Sequence, residues 1–390
     1  MEYWNFLTYI DTVLFVLIAM TVLYMAIFAL ASQVKRHASV PKAKRQNRFI
    51  VLIPARKAGR NLEKTVYSIL GQSYPQRLFD VTVIADSCPE MTNFRVAQQP
   101  VTLLTPTFEK ESKVKAMQLA INNLPQFKIY DVVVVLDPGN AVETEFLQQL
   151  NDAYESAGTK CIQCHRLSQN RDTATSRLSA IFEEINNSIF RRGHITLGLS
   201  AATAGSGMAF DFTWFRNNVT SASTNWEDKD FEIQLLRQHI FIDYFDDILV
   251  YDEKHRSADD FNRQRHSWMY SQLSTFVRNC RYLPMALLNR HYDLIDKILQ
   301  WMLIPRLVLM AVIIIMGCIL PLIYLSMALK WWALFAIVLF IFALATPNYL
   351  VDEKWDRTFL MVPLIFVGTI VNKTPLRKYF KKLIDINQRI

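Results

Sequence analysis

The apolar residues of this chain gather at its two ends, and between them the pattern breaks into short runs. One uncharged stretch covers Thr12 to Val34. Two more cover Leu307 to Leu329 and Trp331 to Val351, with only Lys330 between them. Each reaches the ~20 residues that cross a ~30 Å hydrocarbon core as a helix. The middle reads differently. RFIVLIP from Arg48 to Pro54, FDVTVIA from Phe79 to Ala85 and VVVVL from Val132 to Leu136 are short, nearly continuous apolar runs. Such runs mark strands buried on both faces. Between them the pattern predicts a helix capped by Asn61 and running through Leu70, and another from Ser112 to Leu124. Strands alternating with helices imply an open, mostly parallel α/β sheet. Ligands bind outside the carboxyl ends of the strands in such a sheet. Asp86 and Asp137 each follow one of these runs. A single Asp there is often a turn residue or helix cap; two, from different strands, point to one crevice.

Charge gives the apolar stretches an orientation. Lys35, Arg36, Lys42, Lys44, Arg45 and Arg48 follow the first, whereas only Glu2 and Asp11 precede it. The positive-inside rule then predicts an integral protein of the inner or plasma membrane, with the middle domain on the cytoplasmic side. A cleaved signal peptide is not expected, because the start lacks positive charge and the apolar run is too long. The formal net charge is +8, with basic residues beside the membrane and in the tail at Lys373, Arg377, Lys378, Lys381 and Lys382. Clusters of this kind contact anionic lipid headgroups. No nucleic-acid-binding motif accompanies them, so no nucleic-acid partner is expected. The run from Thr358 to Asn372 is short and holds Pro363. Crossing would put the basic tail outside, so an interfacial or re-entrant segment is expected. Residues 270 to 306 mix apolar and basic positions and are interrupted at Pro284, which suits amphipathic helices. Whether these lie on the membrane or pack on the soluble domain stays open.

Of the five cysteines, Cys161 and Cys164 form a C-x-x-C without the second pair of a zinc site. A cytoplasmic domain disfavours disulfides, and Cys-Ile-Gln-Cys-His reads as a strand. The domain layout is thus a transmembrane helix in 1–34, a basic linker in 35–47, a catalytic α/β domain in 48–269, amphipathic interface helices in 270–306, two transmembrane helices in 307–351, and an interfacial or re-entrant segment with a basic tail in 352–390.

A set of short motifs appears in order along 48–268: I53-P54-A55-R56, S68-I69-L70-G71-Q72-S73-Y74-P75, V83-I84-A85-D86-S87-C88, K113-V114-K115-A116, D131-V132-V133-V134-V135-L136-D137, G205-S206-G207-M208, E227-D228 and Q264-R265-H266-S267-W268. Each is weak alone. The ordered set, bracketed by apolar stretches, resembles family 2 glycosyltransferases, and within them the membrane-integrated branch of hyaluronan, chitin and cellulose synthases. The resemblance implies a GT-A fold, a nucleotide-sugar donor and inversion at the anomeric carbon.

It also implies roles. Asp86 resembles the nucleoside-binding Asp, and Lys113 a basic residue near the donor phosphates, although a lysine on a solvated helix looks the same. Asp137 resembles the first carboxylate of a D-x-D motif, which holds Mg²⁺ or Mn²⁺ on the diphosphate through oxygen ligands. Here the motif reads Asp137-Pro138-Gly139-Asn140, so Gly139 stands at the second carboxylate and only Asn140 or water remains to replace it. Glu227 and Asp228 resemble the E-D motif, with Asp228 as general base. Acidic residues also simply suit a helix N-terminus. Gln264, Arg265 and Trp268 resemble the Q-R-x-R-W motif, in which arginine neutralises the diphosphate and the indole lies under the acceptor sugar. Ser267 replaces the second arginine and removes bidentate phosphate recognition. An interfacial Trp would look like Trp268. Gly205, Ser206 and Gly207 resemble the small-residue turn near the acceptor.

Three functions follow from the resemblance. The first is processive extension of a β-linked polysaccharide from a UDP-sugar, with secretion through the spans. The second is transfer of one sugar to a lipid acceptor. The third is a catalytically weakened partner subunit, the reading that Gly139 and Ser267 favour. The expected partners are the nucleotide-sugar donor, a carbohydrate or lipid acceptor and membrane lipids. A homo-oligomer or an export partner is compatible with so few spans.

Overall fold

The computed structural model describes residues 2–34, 40–109, 112–222, 227–254, 256–323 and 325–351. The run 358–372 and the basic tail lie outside them, as do Lys35 and Arg36. The chain divides into two compact units, one formed by Arg36–Asn170 with Gly198–Lys254, the other by Met1–Lys35, Arg171–Leu197 and His255–Ile390.

The first unit holds an eight-stranded sheet. Its strands are β1 (Phe49–Arg56), β2 (Phe79–Asp86), β3 (Thr102–Leu104), β4 (Val132–Val135), β5 (Ala141–Val142), β6 (Cys161–Ser168), β7 (Met208–Asp211) and β8 (Ile242–Asp252). Their spatial order is β3-β2-β1-β4-β7-β6-β8-β5. The strands expected from the apolar runs are β1, β2 and β4, and they pair in parallel, with Phe49 opposite both Phe79 and Val132. Every residue of β4 is fully buried, as the unbroken valine run requires. Beyond β4 the sheet is mixed rather than mostly parallel throughout. β7 runs antiparallel to both β4 and β6, while β6 and β8 are parallel. The cysteine pair lies in β6, and both thiols are free and buried. Burial pushes the Cys161 and Cys164 thiols up, away from the reactive thiolate.

Helices cover the sheet. Arg60–Leu70 buries Leu62, Val66 and Ile69 in the core beneath β1 and β2. Its N-cap is Gly59, with no side-chain cap, so Asn61 lies inside the first turn instead of capping it. The helix Lys113–Asn122 starts where Ser112 accepts the Lys115 N–H at 3.1 Å.

The second unit is helical. Two of its segments, Thr8–Ala31 and Leu325–Ala345, are long and apolar enough to cross a membrane. A bent pair, Tyr292–Met302 with Arg306–Leu322, meets the same measure if its 53° bend belongs to one span. Lys330 does not separate two helices. It sits inside Leu325–Ala345, because Asp11 neutralises it at 2.5 Å. The other Asp11 oxygen accepts the Trp331 indole N–H at 2.8 Å. Asp11 is therefore a buried ion-pair partner rather than a free charge on the N-terminal flank. Deeper in the same unit, the Tyr24 hydroxyl donates to Asp296 at 2.8 Å and lies 3.0 Å from His194 Nε2. That contact ties the N-terminal helix to Tyr292–Met302.

Candidate active site

The carboxyl ends of β2, β1 and β4 form one edge of the sheet. Asp86 ends β2 opposite Arg56, the last residue of β1. Its carboxylate is buried and engaged. It accepts the Phe108 N–H at 3.2 Å and the Ser87 hydroxyl at 2.9 Å, and lies 3.5 Å from Arg56 Nε. Asp137 follows β4 on the other side of β1, so the two carboxylates flank one strand end.

Around Asp137 the chain makes a tight turn. Asn140 N–H donates to the Asp137 carbonyl at 3.0 Å, and Gly139 has φ +96°. Proline at the second position, a positive φ at the third and the i to i+3 bond are the marks of a type II turn. Glycine is the residue that takes such a φ without strain. Its N–H donates to the Thr65 hydroxyl at 2.9 Å. Gly139 thus serves a backbone need at the position of the second D-x-D carboxylate.

Asn140 is not a free oxygen ligand either. Its amide oxygen accepts the Asp137 N–H at 2.8 Å, and its amide nitrogen donates to Asp252 at 3.1 Å. It is fully buried. Asp252, at the end of β8, also meets Arg166 at 2.6 Å and Lys254 at 2.8 Å. Arg166 in turn donates to the Ala204 carbonyl at 2.7 Å. The sequence reading missed Arg166, Asp252 and Lys254. The available signal was Asp252-Glu253-Lys254 closing an apolar-alternating stretch, a third acidic strand end.

Lys113 joins the parts. Its ammonium is 2.7 Å from Asp137 Oδ1 and donates to the Gly205 carbonyl at 2.5 Å. Gly205 in turn borders the base candidate, since a Cβ built on it would lie 4.0 Å from Asp228 Cβ. Asp228 is the second residue of the helix Glu227–Arg237, which Glu227 opens. The Thr203 hydroxyl donates to the Asp228 carbonyl at 3.1 Å, fixing that helix start to the Gly205 loop. The Asp228 carboxylate keeps partial exposure, with Lys229 Nζ 3.9 Å away. Asp137, Lys113, Gly205 and Asp228 are therefore neighbours, although the sequence separates them widely.

Ser206 and Gly207 face inward. Both are buried, and a Cβ on Gly207 would meet Val250 at 3.1 Å and Cys164 at 3.6 Å. Gln163 donates to both of their carbonyls. Their surroundings are those of packing residues, so of this turn only Gly205 has surface to offer an acceptor.

Gln264, Arg265 and Trp268 belong to the helical unit, on the helix Ala258–Asn279. The Arg265 guanidinium lies over Phe182 at 4.2 Å and over Phe261 and Trp268 at 5.0 Å each. Burial, with a smaller contribution from Arg306, pushes it down to about 9, against the opposing pull of Glu183. Trp268 is exposed.

A divalent cation would need oxygen ligands. Among the described residues no group of three or more His, Cys, Asp or Glu side chains is arranged to hold one. Asp137 already carries an ammonium, Asn140 is spent at both ends and Gly139 has no side chain. The residues present do not fit a protein-built metal cradle.

The parallel half-sheet with the antiparallel β7 inserted beside β4 defines a GT-A-like α/β fold. Residues 46–271, more than half of the chain, match the family model described as glycosyltransferase like family 2, and the chain belongs to that family. Among solved structures it is similar to the mannosyltransferase PcManGT from Pyrobaculum calidifontis in complex with GDP-Man and Mn²⁺, at 13% identity and a TM-score of 0.55, over 89% of this chain and 98% of that one. It also matches residues 1–349 of TarS from S. aureus, at 12% identity and a TM-score of 0.43, over 86% and 91% of the two chains, a likeness too loose to argue from. No curated protein matches it.

Proposed function

We propose that the chain is an inverting glycosyltransferase of the cytoplasmic membrane face that adds sugar from a UDP-sugar to a β-linked polysaccharide. The observation that carries the reading is the linkage of Asp137, Lys113, Gly205 and Asp228 beside the carboxyl end of β4. In the reaction, the acceptor hydroxyl oxygen attacks the anomeric carbon from the face opposite the leaving group. The bond from that carbon to the β-phosphate oxygen breaks, and its electron pair leaves with the nucleoside diphosphate. The hydroxyl proton passes to the Asp228 carboxylate, which must lie within hydrogen-bond reach. Asp86, held by Arg56 and the Phe108 N–H, orients the nucleoside. Gln264, Arg265 and Trp268 keep in this proposal the donor and acceptor contacts that their motif implies.

A second reading, transfer of one sugar to a lipid, is favoured by the two candidate spans among the described residues, or three if the bent pair is one span, which are few for a polymer channel. Incubating the purified full chain with radiolabelled UDP-sugars, then separating polymer from solvent-extractable lipid, tests both. Label in polymer supports the first reading, label in lipid the second, and label in neither overturns both.

A further inference from the structure

We propose that Lys113 takes the place of the divalent cation in this chain, so that it binds the diphosphate of its donor without metal. The proposal rests on the glycosyl-transfer reading and concerns the same crevice. Three observations carry it. The Lys113 ammonium lies 2.7 Å from Asp137 Oδ1, on the oxygen a metal would use, and is anchored a second time on the Gly205 carbonyl at 2.5 Å. The second carboxylate is absent because a left-handed glycine turn occupies its position, with φ +96° at Gly139. The remaining oxygen, that of Asn140, is committed to the Asp137 N–H.

Charge supports the exchange. Two carboxylates and a divalent cation sum to zero, and so do one carboxylate and one ammonium. Loss of one carboxylate together with a divalent cation removes one net positive charge, and the Lys113 ammonium on Asp137 supplies one. A metal added to Asp137 beside Lys113 would instead meet an ammonium at contact distance, and the repulsion between cations opposes its entry. Lys113 is also the first residue of its helix. A cation there is mismatched with the positive end of the helix dipole, so helix end and ammonium together present surplus positive potential to an anion. The Lys113 side chain is 19% exposed and that of Asp137 35%, so the ion pair is open to solvent and to an incoming phosphate.

The test is binding of UDP and of GDP to the purified full chain by calorimetry, in EDTA and in Mn²⁺, for the natural sequence, Lys113→Met and Lys113→Arg. In the natural sequence the affinity for whichever nucleotide binds stays within about twofold between the two conditions. Lys113→Met loses about tenfold or more in EDTA and regains part of it in Mn²⁺, which now reaches a freed Asp137, whereas Lys113→Arg keeps metal-free binding. Tightening of the natural sequence by about tenfold or more in Mn²⁺ overturns the lysine substitution while leaving the glycosyltransferase reading intact. That comparison needs no variant to fold. If neither nucleotide binds in either condition, the glycosyl-transfer reading fails and the inference falls with it.

Discussion

The Asn140 amide donates to Asp252 at 3.1 Å, beside the antiparallel pairing of Ala141 and Val142 with Tyr251 and Val250, and so joins the turn after β4 to the end of β8. It brings a third acidic strand end to the candidate site. Because Asn140 is fully buried, Asn140→Ala leaves the Asp137 N–H unsatisfied and removes a partner from Asp252. The expected loss is about 1–3 kcal/mol of stability, read as a lower thermal midpoint of the purified protein. An unchanged midpoint would mean that the turn is held by its backbone bonds alone.

Gly139 answers to backbone geometry. At φ +96°, Gly139→Asp is strained although a Cβ there has room, with no contact nearer than 3.8 Å. The substitution recreates D-x-D in sequence yet is expected to destabilise by about 1–2 kcal/mol. Chemical unfolding in detergent checks it; a stability equal to that of the natural sequence would show that the turn adapts.

Much of this was legible beforehand. β1 and β4 are unbroken apolar runs and β2 a nearly continuous one, as suits short strands buried on both faces. Asp86 and Asp137 stood out because each follows such a run. β7 was not legible, since four residues carry no periodicity. β8 was hidden by Asp243, Asp246 and Asp247, which alternate with buried Ile242, Tyr244 and Ile248 on a sheet with one covered face. The Lys113 to Gly205 bond joins residues far apart in sequence, and no local pattern encodes it. Lys330 misled for a related reason, since the charge that ends an apolar run in sequence is cancelled by Asp11 from another helix.

That ion pair makes its own prediction. Asp11→Leu strands Lys330, and Lys330→Met strands Asp11, whereas the double variant leaves no charge unpaired. A double-mutant cycle on thermal stability is expected to give a coupling of roughly 1–2 kcal/mol. Additive losses would place the two side chains apart.

Cys161 and Cys164 are core residues of β6, and burial raises both thiols. N-ethylmaleimide should modify neither before the protein unfolds, and both afterwards, as counted by mass spectrometry. Labelling of either in the native protein would mean that the C-x-x-C is accessible chemistry and not packing.

The proposed reaction depends on the Asp228 carboxylate taking the proton of the acceptor hydroxyl. The measurement that tests it most directly compares sugar transfer by the natural sequence and by Asp228→Asn, with nucleotide binding recorded in parallel. Transfer is expected to fall by about 10²–10⁴-fold in the Asn variant, with UDP or GDP affinity nearly unchanged, because the base serves the acceptor and not the donor. Near-normal turnover by Asp228→Asn would contradict it.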